Sequence, residues 1–190
     1  LTYFQLALRN KEENGNCTQA EMQNIARILL SQNKYTEAKT LYQQILQNAK
    51  MPSLLRAHTC QALGLTHVRL NEHGDAIKCY EQALSLFFEY YGKENKEFII
   101  FYNDIGYSFS QNKQYEEAIV YYEKAKALEK EPEKVFIIMN NIGETHYKAE
   151  KFEEAKEVFE KNLAFLKQEG PSESEYPEAY EYCKKQIKLC

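Results

Sequence analysis

An internal repeat constrains the fold of this chain more than any other feature of its sequence. Four anchor alanines recur at steps of 38, 42 and 37 residues, and an aromatic ring follows each one four positions later. A small residue stands twelve positions before each anchor, directly after an apolar residue. Self-similarity at a fixed period of this length is the signature of a solenoid or a repeat array. The anchors are Ala38, Ala76, Ala118 and Ala155, the rings are Tyr42, Tyr80, Tyr122 and Phe159, and the small residues are Ala26, Gly64, Gly106 and Gly143.

The pattern within each repeat predicts two helices. Its apolar positions recur at offsets of 3, 4 and 7 residues, which is the period of an amphipathic α-helix. A short polar break separates the two halves, as in residues 31–34 and 111–114. The chain has only 7 Gly and 4 Pro among 190 residues, which favours helices joined by short turns over a sheet. We therefore predict an all-α fold of antiparallel helix pairs. We expect the small residues and anchors to lie where two backbones approach closely, and the rings to fill the gap between one repeat and the next.

This pattern resembles the tetratricopeptide repeat. Residues 105–122 and 141–159 carry the resemblance best, whereas His73, Ile45 and Asn162 depart from the usual pattern, the last two where Ala is common seven residues after the anchor. The resemblance implies an α-solenoid, a right-handed superhelix whose first helices line a concave groove. The steps exceed the usual 34 residues. Residues 84–98 are similar to the long second helix and Gly-containing connector of kinesin light chain-like repeats, although bacterial peptide-pheromone receptors also have long repeats.

The repeats also predict how the chain is organised. We expect one domain of about four helix pairs over residues 1–190, with a partial helix before them and a capping helix after them. Residues 4–8 resemble the end of an upstream second helix, so we expect further repeats before this chain begins. Exposed repeat ends would then allow self-association. The predicted segments are an end helix at 1–12, repeats at 17–50, 52–91, 94–130 and 132–169, and the capping helix at 173–188.

Composition narrows the classes of function. The net charge of −4 argues against a nucleic-acid partner, which requires a basic surface. No apolar stretch approaches the roughly 18 residues of a transmembrane helix. The five cysteines are widely spaced without a CxxC pair, so we expect reduced thiols in a cytoplasmic setting and no zinc site. We expect no cofactor either.

The sequence also lacks the motifs of an enzyme. It contains no HExxH, GxSxG or Gly-rich phosphate loop, the patterns that place a metal, a nucleophile or a phosphate. We therefore predict no catalytic residues and a protein-interaction scaffold that binds an extended peptide or partner segment in its groove. The alternatives are a fragment of a peptide-sensing regulatory receptor and the recognition arm of a larger enzyme.

A row of side-chain amides marks the predicted groove. An amide stands fifteen residues before every anchor, and each amide offers a donor and an acceptor to a peptide backbone. Similar ladders hold peptides in long-repeat members of the family, which implies this role above all for Asn103, Asn140 and Asn141. The alternative is that these are ordinary solvated positions. The predicted peptide-binding residues are Gln23, Asn24, Arg27, Gln61, Arg69, Asn103, Tyr107, Asn140, Asn141, Glu144 and Lys148.

Two apolar runs open the first helices of the third and fourth repeats, at residues 98–102 and 135–139. Ile100 and Ile137 fall on the groove edge, where they would form a pocket for a partner side chain. We instead expect the runs to be packing residues, because they cover all sides of the helix.

Overall fold

The computed structural model describes residues 19–92, 95, 96, 98–170 and 172–190, and this part of the chain contains nine α-helices and no β-strand. The all-α prediction is therefore confirmed. The predicted end helix at 1–12 and Cys17 lie outside the described residues. The helices are α1 (Gln19–Ser31), α2 (Tyr35–Leu46), α3 (Ser53–Arg69), α4 (His73–Tyr91), α5 (Phe98–Gln111), α6 (Tyr115–Leu128), α7 (Pro132–Lys148), α8 (Phe152–Glu169) and α9 (Pro177–Leu189).

The chain divides into two compact units, residues 1–94 and residues 95–190. In the first unit each of the helices α1 to α4 packs against the next one in sequence. In the second unit the helices α5 to α9 do the same. Packing of sequential neighbours is the arrangement of an α-solenoid, as predicted. The exact repeat boundaries and the capping role of the last helix stay predictions.

The repeated small residues make room for the repeated rings. All four anchors and all four rings are buried. A methyl group added to Gly143 would lie 2.7 Å from ring atoms of Phe159, and one added to Gly106 would lie 2.9 Å from Tyr122. Real carbon atoms do not approach this closely, so the ring occupies the space that a side chain would take. Each of these rings therefore packs on the small residue of its own repeat, a contact that we did not expect from the sequence.

The turn inside each helix pair has the same backbone conformation in all four repeats. One residue, five positions before the anchor, has a positive φ of 59° to 62°. The N–H of the following residue donates to the carbonyl five positions before it, as from Lys151 to His146 at 3.0 Å. This bond is the 6→1 contact of a Schellman motif, which ends a helix and reverses the chain. The positive-φ residues are Asn33, Asn71, Lys113 and Glu150.

Helix α9 follows the last helix pair and packs against α8. It begins at a proline, which is favoured in the first helical turn because its missing N–H would be unpaired there in any case. Tyr180 and Cys183 are buried on one face, and Glu178, Glu181 and Lys185 are exposed on the other. The amphipathic face predicted for this segment is thus realised.

Candidate functional site

The predicted peptide-binding residues all lie on first helices of the repeats. In the first unit, Gln23, Asn24 and Arg27 are on α1, and Gln61 and Arg69 are on α3. In the second unit, the corresponding residues are on α5 and α7. These second-unit residues are Asn103, Tyr107, Asn140, Asn141, Glu144 and Lys148.

In the first unit, the predicted residues differ in how far they are engaged internally. The half-buried Gln23 donates from Nε2 to the hydroxyl of Thr59 at 3.3 Å, and Thr59 is itself fully buried. Gln61 is half-buried, whereas Asn24, Arg27 and Arg69 are exposed. The Gln23 amide nitrogen therefore ties α1 to α3, and the two arginines keep their charges in solvent.

In the second unit, an amide pair joins consecutive first helices. Asn141 on α7 donates from Nδ2 to Oδ1 of Asn103 on α5 at 2.9 Å, and both residues are half-buried. Each amide can donate and accept, so this bond uses one donor and one acceptor of the pair. Within the described part of the chain, no residue uses the remaining donor of Asn103 or the acceptor of Asn141, so both can meet a ligand.

Asn140 is engaged by residues of helices α8 and α9. Its Oδ1 accepts a hydrogen bond from Asn162 Nδ2 on α8 at 2.8 Å, and the thiol of Cys183 on α9 lies 3.9 Å away. Burial raises the pKa of Cys183 to about 11, so this thiol is protonated at neutral pH and is a weak donor. Sequence reasoning did not place Asn162 at the site, although its departure from the usual Ala was the available signal.

Glu144 is engaged by helix α9. The hydroxyl of Tyr182 donates to its Oε1, and burial together with this carboxylate raises the pKa of Tyr182. Of the remaining predicted residues of the second unit, Tyr107 and Lys148 are exposed. The structure thus leaves these two side chains at the surface and ties Glu144 to α9.

A cavity of about 630 Å³ lies beside Asn103 in the second unit, between α5, the connector from α6 to α7, and α7. Ile100 and Ile137 line it and are 59% and 54% exposed. Our interpretation of the two apolar runs as packing residues is therefore wrong for these two, although it holds for Phe98 and Ile138, which are buried. Single exposed apolar residues are common on protein surfaces, but two of them that line one cavity form an apolar patch that a partner can cover.

Lysines outweigh acids at this cavity. Lys134 pairs with Glu131 at 2.8 Å, and a carboxylate oxygen of Glu129 accepts the backbone N–H groups of Lys130 and Glu131. Lys96 and Lys130 also line the cavity, and neither side chain pairs with an acid among the described residues. Among the described residues that line it, the cavity therefore combines an apolar wall with a small excess of positive charge.

The described residues do not bring together three or more His, Cys, Asp or Glu side chains in a way that would hold a metal ion. None of the helices in the described part of the chain has the length and apolarity needed to cross a membrane.

Comparison with known proteins agrees with the repeat. A family model described as the tetratricopeptide repeat matches residues 18–87 and 97–168. No curated protein matches the chain.

Several solved structures are similar in fold. A chain from Podosopora anserina with nearly identical TPR-like repeats, described as a kinesin light chain, has a TM-score of 0.69 at 16% identity, covering 88% of this chain and 82% of that one. BtubC (BKLC) from P. vanneervenii has a TM-score of 0.64 at 18% identity, over 98% and 85%. MamA has a TM-score of 0.69 at 15% identity, over 91% and 84%. The likeness to kinesin light chain-like repeats is therefore confirmed at the level of the fold.

Proposed function

Because this chain belongs to the tetratricopeptide repeat family, we propose that it is a protein-interaction scaffold that binds an extended peptide segment of a partner protein. In this proposal the peptide lies along the first helices α5 and α7. The observation that carries the proposal is the cavity beside Asn103, with its two exposed isoleucines. Proteins of this family bind protein partners and are typically not catalysts. A groove with a partly exposed apolar wall therefore suits the binding of a partner segment.

The apolar wall would contribute to the affinity through hydrophobic burial. Complete burial of an isoleucine side chain contributes about 1.5–3 kcal/mol, and Ile100 and Ile137 are each about half exposed. Covering them with an apolar partner side chain would therefore contribute about 1 kcal/mol each. A cavity of about 630 Å³ lies within the range of small-ligand sites and has room for one large side chain.

The amide pair would hold the peptide backbone. Asn103 lines the cavity, and Asn141 lies against it. The donor left on Asn103 and the acceptor left on Asn141 match the C=O and N–H of an extended residue. Because Lys96 and Lys130 are unpaired among the described residues, a carboxylate beside the apolar residue of the peptide would be favoured.

The other expectations stay proposals. In the first unit, the exposed Asn24, Arg27 and Arg69 are available for partner contacts. Gln23 and Gln61 keep amide groups that no described residue engages. The four described cysteines are unpaired, which agrees with a cytoplasmic, reducing setting. Self-association through the repeat end at Phe4 concerns residues outside the described part of the chain.

The test uses peptides selected on the protein itself. A phage-displayed random peptide library is panned on the purified chain, and a selected peptide is synthesised with a fluorophore. Its dissociation constant is then measured by anisotropy for the wild type and for the Ile100→Ala, Ile137→Ala double variant. We expect the double variant to bind roughly 10- to 30-fold more weakly, because about 2 kcal/mol of apolar burial is reduced.

The matched control is Val120→Ala. Val120 is an apolar residue of the same unit that is 52% exposed, but it lies on the second helix α6 and not at the cavity. We expect its affinity to equal that of the wild type. Failure to select any peptide, or equal affinity in the control and the double variant, would contradict the proposal.

A further inference from the structure

One hydrogen-bond chain fixes which end of the Asn140 amide points inward. Asn162 is fully buried, and its Nδ2 donates to the backbone carbonyl of Phe136 at 3.0 Å and to Oδ1 of Asn140 at 2.8 Å. A carbonyl oxygen can only accept, so the nitrogen of Asn162, and not its oxygen, must face Phe136. The second proton on this nitrogen is then directed at Asn140, whose oxygen must face Asn162.

The nitrogen of Asn140 is left at the opposite end of the amide. No described residue accepts a hydrogen bond from this nitrogen. The nitrogen is also not one of the buried polar atoms that lack a hydrogen-bond partner in the described part of the chain. Asn140 itself is half-buried. Its Nδ2 is therefore open to solvent and offers two protons to a ligand.

The preceding repeat does not have this arrangement. Asn103 is the equivalent of Asn140, and Ala125 is the equivalent of Asn162. Ala125 has no donor, so the oxygen of Asn103 is engaged by Asn141 of the next first helix instead. Ile45 and Ala83, at the same place in the first two repeats, cannot donate either. Among the four repeats of the described part of the chain, only the last has, seven residues after its anchor, a buried donor that orients the groove amide of its own repeat.

We propose that Asn162 is a positioning residue that holds Asn140 with its amide nitrogen toward the ligand, so that this place in the groove binds a backbone carbonyl oxygen of the partner peptide and not an N–H. This inference rests on the proposed function. It also defines the partner more closely. The peptide nitrogen needs no acceptor from Asn140, so a proline or an N-methylated residue is accepted at this position.

The orientation can be tested without any ligand. Proton exchange of the side-chain amides is followed by NMR in the full chain labelled with nitrogen-15. We expect slow exchange for both amide protons of Asn162, which are hydrogen-bonded and buried, and fast exchange for those of Asn140. Slow exchange of the Asn140 amide in the free protein would show that its nitrogen points inward and would overturn the inference.

The functional consequence is tested with the peptide selected above and two variants. Asn162→Ala removes the donor and lets the Asn140 amide rotate, and we expect 3- to 10-fold weaker binding. Cys183→Ala is the control, because it changes the other neighbour of the same oxygen but leaves the bond from Asn162. Circular dichroism checks that both variants keep their helices, and we expect the control to bind like the wild type.

A third variant reverses the polarity. Asn162→Asp places a carboxyl group at this buried position, and in its ionised form it only accepts hydrogen bonds. It therefore favours the nitrogen of Asn140 inward and its oxygen toward the ligand, and it leaves the Phe136 carbonyl without its donor. Binding is then measured for a series of peptides that each carry one backbone N-methyl group. We expect one peptide position at which methylation leaves binding to the wild type unchanged but weakens binding to this variant. If the variant does not fold, Asn162→Ala and the exchange measurement decide. Unchanged binding in Asn162→Ala, combined with lost binding in Ile100→Ala, Ile137→Ala, would overturn this inference and leave the proposed function standing.

Discussion

Substitution of Gly143 by alanine tests the packing of a ring on the small residue of its own repeat. The added methyl group would meet Cε1 and Cζ of Phe159 at 2.7 Å. Phe159 is fully buried, so its ring has little freedom to move away. Alanine is favoured over glycine inside a helix by about 1 kcal/mol, but overpacking of a core costs about 1–3 kcal/mol. Because a rigid buried ring gives a cost near the upper end, we expect a net loss of about 1–2 kcal/mol in the free energy of unfolding.

The assay is urea unfolding followed by circular dichroism, with thermal unfolding beside it. A loss of 1–2 kcal/mol corresponds to a fall of about 2–8 °C in Tm for a chain of this size. The matched control is Gly74→Ala on α4, where no heavy atom lies within 4 Å of the added methyl group. We expect this control to be as stable as the wild type or to gain up to about 1 kcal/mol.

A double variant separates the clash from other causes. Phe159→Leu leaves a cavity and destabilises the protein by itself, but it removes the ring atoms that the methyl group would meet. We therefore expect Gly143→Ala to cost less in the Phe159→Leu background, with a coupling energy of about 0.5–2 kcal/mol. The reasoning is refuted if Gly143→Ala is as stable as the wild type, or if its cost is the same in both backgrounds.

Two further predictions concern the turns and the acid stability. Glu150 adopts a positive φ of 60°, which costs a side-chain residue about 1 kcal/mol relative to glycine, so Glu150→Gly should raise the urea midpoint. Asn71→Gly, at the equivalent place, should raise the midpoint less, because asparagine tolerates this conformation. Equal effects of the two substitutions would contradict the explanation. Hydrogen bonding from Lys39 holds the pKa of Glu72 below its usual value, so its stabilisation is full above about pH 4.5 and is lost as the pH falls through the lowered pKa. Because the pair is partly exposed, Glu72→Gln should cost less than about 1 kcal/mol at pH 7. Urea unfolding at pH 7 and at pH 3 should show that the stability difference between wild type and Glu72→Gln is smaller at pH 3. A larger difference at pH 3 would contradict the assignment.

Much of the fold could be predicted from the sequence because the repeat is a local pattern copied four times. The anchors and rings mark the buried face of each second helix, and all of them are buried in the structure. The helical period and the scarcity of Gly and Pro predicted the helices. The positive-φ turns were only partly readable, because Asn33 and Asn71 suit that conformation, whereas nothing about Lys113 or Glu150 as residue types indicates it.

The candidate site was less predictable, because its properties depend on contacts between helices. The row of amides could be read from the sequence by its spacing. Whether an amide such as Asn140 is free or engaged depends on which donors the neighbouring helices bring within about 3 Å. Likewise, periodicity cannot show that Ile100 and Ile137 remain exposed, because an apolar run on a helix looks the same whether another element covers it or not.

The sequence by itself thus determined the helix pairs, the family and the buried positions, since these follow from residue size and hydrophobicity repeated at intervals of 37 to 42 residues. Only the tertiary structure decided that Asn162 orients Asn140, that Asn141 bonds to Asn103, and that a cavity opens beside them. The physical reason is that the two kinds of interaction differ in the geometry that they require. Hydrophobic burial acts on any residue of the right size and class, whereas a hydrogen bond depends on distance and angle between particular atoms, which exist only once the helices have packed.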